Sequence, residues 1–231
     1  VVMPESLQII EESAFYKCSS LKSVIAPGVT NIGIAAFYGC KNLNDVYIPK
    51  IQSIGDSSFG GTGALNGFPF ENLNKVPDLA FAKSDIFKVN LKNATAIGER
   101  AFEKCRSLSE VYIPNADASQ MGYGIFRECT MLKLVEFNEK IKVLPDRIFE
   151  SCDFSSLDCI DTIETIGSNA FANNKALNSI SMNYLIRAKD CAFKDCTNLM
   201  FADFPNLRKI DAEVFSGCSS LTTLTLSNNI E

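Results

Sequence analysis

Residues 32–49 read IGIAAFYGCKNLNDVYIP, and this stretch decides the fold. Val46 and Ile48 alternate with Tyr47, which is the two-residue period of a β-strand with one buried face. The closing proline ends the strand because it has no amide hydrogen to donate to a neighbouring strand. Residues 36–40 (AFYGC) predict a short helical turn, in which the small alanine allows the backbone to pack closely.

The same pattern recurs along the whole chain. Ten of the 17 phenylalanines are separated by 22, 22, 22, 21, 24, 23, 22, 22 and 22 residues, and we call them the phenylalanine ladder: Phe15, Phe37, Phe59, Phe81, Phe102, Phe126, Phe149, Phe171, Phe193 and Phe215. Cysteine stands three residues after the phenylalanine in most repeats: Cys18, Cys40, Cys105, Cys129, Cys152, Cys196 and Cys218. A fixed period of this length indicates a solenoid.

One repeat cannot bury its own apolar side, so the repeats must stack on each other. The sequence therefore predicts an α/β solenoid, a right-handed curved superhelix of about ten repeats of 21–24 residues. We expect a parallel β-sheet on its concave face, with short helical turns and extended segments elsewhere. No linker interrupts the pattern, so residues 1–231 form a single domain. Residues 1–4 resemble the strand end of a preceding repeat, and we expect the chain to be a fragment of a longer protein.

The composition narrows the classes of function. The net charge of −5 argues against nucleic acid as a partner, because a phosphate backbone attracts basic proteins. No apolar run approaches 18 residues, so we expect no membrane insertion. The chain has no histidine, which removes the commonest general base and a common metal ligand. We therefore expect no catalytic residue, no cofactor and no metal site.

The cysteines could serve either metal or disulfide chemistry or the packing of the core. Metal or disulfide chemistry is disfavoured, since no Cys-x-x-Cys pair occurs and the repeat position already explains seven of the nine thiols. We expect the ladder cysteines to be buried as small apolar groups, and Cys159 to be in the core. Cys191 lies outside the ladder and is the candidate for an exposed thiol. A cysteine-dependent hydrolase would use it, but no histidine is present to activate it.

The concave face of the sheet is the predicted binding site. Aromatic and charged side chains at outward strand positions are typical anchors of an interface. The candidate partner-binding residues are Tyr47, Phe87, Lys88, Glu110, Tyr112, Leu134, Glu136, Asp158, Phe201 and Asp203. Two alternatives stay open: the aromatic residues cover the sheet by packing on one another, and the acidic residues are an ordinary solvated surface.

The motif Ile-Gly-x-x-Ala-Phe-x-x-Cys-x-x-Leu-x-x-Val-x-Ile-Pro resembles the BspA-like leucine-rich-repeat family. It occurs at residues 32–49 and at 97–114, and the likeness covers essentially the whole chain. Two stretches depart from it: residues 60–70 are glycine-rich and lack the cysteine, and residues 115–120 carry an insertion. The resemblance implies a surface-exposed or secreted protein, of the kind found in bacteria and some protists, that takes part in adhesion.

We therefore expect a non-enzymatic adhesion module at the cell surface or outside the cell. Its partner would be a protein or glycan of the host extracellular matrix or of another cell surface. Two rivals stay open: a structural spacer without a ligand, and a cytoplasmic protein-interaction scaffold. Free cysteines favour the scaffold slightly, because disulfides are rare in a reducing compartment.

Overall fold

A computed structural model describes residues 1–155 and 162–230. Most turns of its solenoid contribute parallel β-strands of two kinds. The longer strands are β2 (Ser23–Ile25), β4 (Asp45–Tyr47), β7 (Lys88–Asn90), β9 (Glu110–Ile113), β10 (Leu134–Phe137), β13 (Ser179–Ser181), β15 (Phe201–Phe204) and β17 (Thr223–Leu226). They pair in the orders β2-β4, β7-β9-β10 and β13-β15-β17. Residues alternate between buried and exposed along most of them, as the two-residue period predicts.

Two-residue strands form a second parallel ribbon along the solenoid. They are β1 (Ile9–Ile10), β3 (Asn31–Ile32), β5 (Ser53–Ile54), β6 (Lys75–Val76), β8 (Ala96–Ile97), β11 (Val143–Leu144), β12 (Thr165–Ile166), β14 (Arg187–Ala188) and β16 (Lys209–Ile210). The second residue of each strand carries the repeat's isoleucine or its substitute, and most of these side chains are buried. The two ribbons therefore enclose a common core.

The phenylalanine ladder is the spine of that core. Its rings follow one another from Phe15 to Phe215, with centroids of neighbouring rings 5.1 to 6.0 Å apart. Most of these pairs are stacked nearly parallel, and the rings from Phe37 to Phe193 are almost fully buried. Parallel stacking at this spacing follows from the repeat, since each turn places its ring above the ring of the preceding turn.

The α/β class and the helical turns predicted around each ladder phenylalanine are wrong. The described residues contain no α-helix, and only two short 3-10 helices, Phe70–Asn72 and Ala118–Gln120. The chain is a parallel-strand β-solenoid of about ten turns. None of these short helices is long and apolar enough to cross a membrane. The concave curvature and the right-handed sense of the superhelix stay predictions.

The backbone around each ladder phenylalanine explains why a helix does not form. In the first repeat, the amides of Ser13, Phe15 and Lys17 donate to carbonyls of the next repeat at 2.6 to 2.9 Å. These N–H groups are not available for bonds along the chain, as a helix would require. The residues two before and two after every ladder phenylalanine have positive φ, between 51° and 77°. The segment is therefore a series of tight turns joined to its neighbours.

The cysteine position serves as a hydrogen-bond donor inside the core. The Sγ atoms of six ladder cysteines lie 2.9 to 3.1 Å from the carbonyl oxygen of the ladder phenylalanine in the preceding repeat. Thr62, Ser84 and Asn174 replace cysteine in three repeats, and each donates to a ladder phenylalanine carbonyl at 2.6 to 2.8 Å. The prediction of burial holds for most of the described ladder cysteines. Cys18 differs, because it lies in the first turn and is exposed.

Candidate partner-binding surface

A groove of about 650 Å³ lies along the outward side of β7, β9 and β10. We call it the strand-face groove. Six of the predicted binding residues line it: Phe87, Lys88, Glu110, Tyr112, Leu134 and Glu136. The parallel register brings them together, because it places Lys88 beside Glu110 and Glu110 beside Leu134. Tyr112 and Glu136 are neighbours in the same way.

The glycine-rich stretch that departs from the repeat motif forms one wall of the groove. Here the chain makes a single bridge, between Asp45 and Asn66, instead of a strand. Gly67 then takes a φ of +77°, which a residue with a side chain rarely adopts. Phe68 and Phe70 turn into the core, where their rings lie 4.8 Å apart. The wall is therefore anchored from inside, which favours a groove that exists before a partner binds.

The groove combines an ion pair with apolar surface. Nζ of Lys88 lies 2.7 Å from Oε2 of Glu110, and both side chains are about half exposed. The same ammonium group lies 5.8 Å from the ring centroid of Phe87, within the range of a cation–π contact. Phe87, Tyr112 and Leu134 leave 55%, 41% and 40% of their surface exposed. Such large apolar side chains lose contact with water only when a partner covers them.

The other four predicted residues lie elsewhere. Tyr47 is exposed on β4, where its register neighbour is Ile25. Phe201 and Asp203 lie on β15, and the Asp203 carboxylate accepts a hydrogen bond from the hydroxyl of Ser181 at 3.5 Å. Asp158 lies outside the described residues, as does Cys159. Among the described residues the predicted surface is therefore divided, and its middle part forms the strand-face groove.

Cys191 is partly exposed and lies apart from the groove. Its Sγ is 3.8 Å from Oε2 of Glu213, and that carboxylate also contacts Nζ of Lys194 at 2.7 Å. The lysine contact lowers the pKa of Glu213. Within the described ranges, no three carboxylate or thiol side chains are grouped closely enough to hold a metal ion.

A charged cluster on the turn side was missed by the sequence analysis. Arg127 lies between two nearly buried carboxylates, with contacts of 2.8 Å to Glu103 and 3.1 Å to Glu150. Arg100 also contacts Glu103, and Arg147 also contacts Glu150. The sequence does carry a signal for this cluster, because Glu103, Arg127 and Glu150 each directly follow a ladder phenylalanine in three consecutive repeats.

Comparison with known proteins extends this picture. Residues 1–109 and 95–222 match the BspA type leucine rich repeat region, in six copies. No curated protein matches the sequence.

Solved structures share the fold at low identity. A leucine-rich repeat protein from Bacteroides ovatus is 22% identical, with a TM-score of 0.61 over 95% of this chain and 70% of that one. One from Eubacterium ventriosum is 20% identical, with a TM-score of 0.62 over 98% and 78%. A leucine rich cell surface protein from Faecalibacterium prausnitzii is 18% identical, with a TM-score of 0.50 over 98% and 87%. These structures share the fold, and the match of the repeat model over most of the chain shows that the chain belongs to the BspA type leucine-rich-repeat family.

Proposed function

We propose that the chain is a non-enzymatic adhesion module of a cell-surface or secreted protein, and that it binds a protein partner through the strand-face groove. The observation that carries the proposal is the grouping of three exposed large side chains, Phe87, Tyr112 and Leu134, around the Lys88–Glu110 ion pair. Aromatic anchors beside a polar rim are the usual composition of a protein interface. Between a protein and a glycan, this apolar centre favours the protein.

A location at the cell surface agrees with the similar protein from Faecalibacterium prausnitzii, which is described as a cell surface protein. The buried ladder thiols do not oppose it. Burial raises the pKa of Cys105 to about 11, so its reactive thiolate is scarce near neutral pH. A thiol of this kind resists oxidation even outside a reducing compartment, which weakens the argument for a cytoplasmic scaffold.

Binding to an immobilised panel of extracellular-matrix proteins tests the proposal. The informative variant is Leu134→Lys, which places a charge in the groove. Met131→Lys is its matched control, because Met131 is similarly exposed, at 51%, but lies outside the groove. We expect the wild-type chain and Met131→Lys to bind one member of the panel and Leu134→Lys to lose that binding. Equal binding by both variants, or no binding to the panel, would contradict the proposal.

A further inference from the structure

A second cavity of about 650 Å³ lies on the turn side of the first four repeats, away from the strand-face groove. Three lysines line it, Lys17, Lys41 and Lys83, together with two glycines, Gly39 and Gly61. We call it the lysine notch. We propose that the lysine notch binds an anionic oligosaccharide, such as a sulfated or uronic-acid-containing glycan. This site is separate from the proposed protein-binding groove.

The notch exists because two neighbouring repeats lack a side chain at the same position. The residues two after the ladder phenylalanine are, in order, Lys17, Gly39, Gly61 and Lys83. A Cβ atom on Gly61 would meet only Gly39, at 3.8 Å, so the space above it is open. Most later repeats have a side chain at this position, for example Asn173 in the same positive-φ conformation, although Gly217 stands there in the last ladder repeat. The notch is thus an open space above Gly61 with Lys83 at one end and, at the other, Lys17, whose Cγ lies 3.1 Å from where a Cβ on Gly39 would be.

The lysine notch is positively charged, although the whole chain has a net negative charge. The chain has 22 basic and 27 acidic residues, yet the notch has three lysines and a single carboxylate, Asp85. Within the described part of the chain, none of the three lysines forms an ion pair, whereas Lys50, Lys104 and others do. An anionic ligand would relieve the repulsion among three like charges in one cavity. The notch is therefore suited to a ligand with several negative charges.

The floor of the notch favours a sugar over an acidic peptide. A peptide strand is recognised by free backbone donors and acceptors. Here the amides of Gly39 and Gly61 already donate to the carbonyls of Gly60 and Ala82, both at 2.7 Å. The Tyr38 ring, stacked 5.4 Å from that of Tyr16, also lines the notch and offers an apolar surface on which sugar C–H groups pack.

The distance between the end lysines sets the size of the ligand. Lys17 and Lys83 are three repeats apart, which corresponds to roughly 14 Å at about 4.8 Å per parallel strand. A chain of a few sugars that carries acidic groups at intervals spans this distance, whereas a single sulfate or phosphate ion does not.

Titration with a heparin-derived hexasaccharide at several salt concentrations tests this site. Lys17→Gln/Lys83→Gln removes two charges, and we expect it to raise the Kd at least about tenfold and to lower the slope of log Kd against log salt by about two. Gly61→Asn fills the notch without changing its charge, and asparagine is accepted at this position in a later repeat. We expect it to weaken binding as well. Lys209→Gln, an exposed lysine outside the notch, is the control and should bind as the wild type does.

Three results would overturn the proposal. The wild-type chain does not bind the hexasaccharide. All the variants bind it as tightly as the wild type does, which would show diffuse attraction to surface charge. Poly-glutamate of matched charge binds as tightly and is equally sensitive to Gly61→Asn, which would make the notch a site for acidic peptides.

Discussion

Nη1 of Arg127 lies 2.8 Å from Oε1 of Glu103, a carboxylate whose side chain is only 1% exposed. Nε of the same guanidinium lies 3.1 Å from Oε2 of Glu150 in the following repeat. Burial acts to lower the pKa of Arg127, but the attraction of Glu150 and the hydrogen bond to Glu103 together outweigh it and raise that pKa. One cation thus joins two carboxylates, from the turns before and after its own, so the cluster extends over three consecutive turns of the solenoid.

Removing this cation should destabilise the fold. We expect Arg127→Ala to lower the free energy of unfolding by about 3 kcal/mol, because two nearly buried carboxylates lose a partner. The effect stays at the lower end of the range for buried pairs, since Arg100 still contacts Glu103. Arg106→Ala is the control, because Arg106 is 69% exposed and lies 3.7 Å from Glu128. Its loss should cost about 1 kcal/mol or less in urea unfolding. Equal losses would show that the cluster behaves as surface charge.

The hydroxyl of Ser58 is buried without a hydrogen-bond partner in the described structure. Alanine occupies this position, directly before the ladder phenylalanine, in repeats such as those of Ala36 and Ala80. We expect Ser58→Ala to raise the free energy of unfolding by about 1 kcal/mol. Ser84→Ala should lower it by about 1 kcal/mol, because the Ser84 hydroxyl donates to the Phe81 carbonyl at 2.6 Å. A lower unfolding midpoint for Ser58→Ala would refute the assignment of an unsatisfied hydroxyl.

The cysteine position should prefer a donor to a hydrocarbon. Sγ of Cys152 lies 2.9 Å from the carbonyl oxygen of Phe126. Cys152→Ser keeps a donor there, whereas Cys152→Val removes it. We expect the serine variant to be the more stable of the two by about 1 kcal/mol, measured by urea unfolding. The opposite order would mean that the position is simply apolar, as the sequence alone suggests.

Stability should fall at alkaline pH through the buried thiols. Burial raises the pKa of Cys105 from 9.0 to about 11. Below pH 9 the thiol is neutral in both folded and unfolded chains. Between pH 9 and 11 it ionises first in the unfolded chain, which favours unfolding by roughly 2 kcal/mol at pH 11.

Comparison with Cys105→Ser isolates this contribution from the other groups that titrate in the same range. Unfolding free energies measured at pH 8 and pH 10.5 should fall more for the wild-type chain than for the serine variant, since serine does not ionise there. Parallel losses in the two proteins would show that Cys105 titrates normally in the folded state.

The sequence predicts the solenoid well because its signal is repeated ten times. The spacing of Phe37, Phe59 and Phe81 indicates the stack of rings, and the alternation around Tyr47 indicates the strands. The sequence predicts a helix for the turn segment because most of the residues that adopt positive φ there are not glycine, so their types do not indicate this conformation. Ser13, Leu79 and Arg100 all adopt it, and hydrogen bonds to the next repeat rather than glycine impose it.

The candidate site was predicted only in part, for a related reason. Outward strand positions follow from the two-residue period, so Lys88, Glu110 and Tyr112 were found as single residues. Their grouping depends on the wall that Phe68 and Phe70 build when they turn into the core. That stretch departs from the repeat motif, so the groove could be seen only in the structure.

The central claim is tested most directly by measuring how tightly the Phe87→Ser/Tyr112→Ser variant binds the extracellular-matrix protein for which the wild-type chain has the highest affinity. Tyr184→Ser is the matched control, because Tyr184 is 61% exposed and lies outside the strand-face groove. Removing two anchors of an interface should raise the Kd by at least about 30-fold, while the control keeps the wild-type value. An unchanged Kd in the double variant, with its fold verified by circular dichroism, would contradict binding through the strand-face groove.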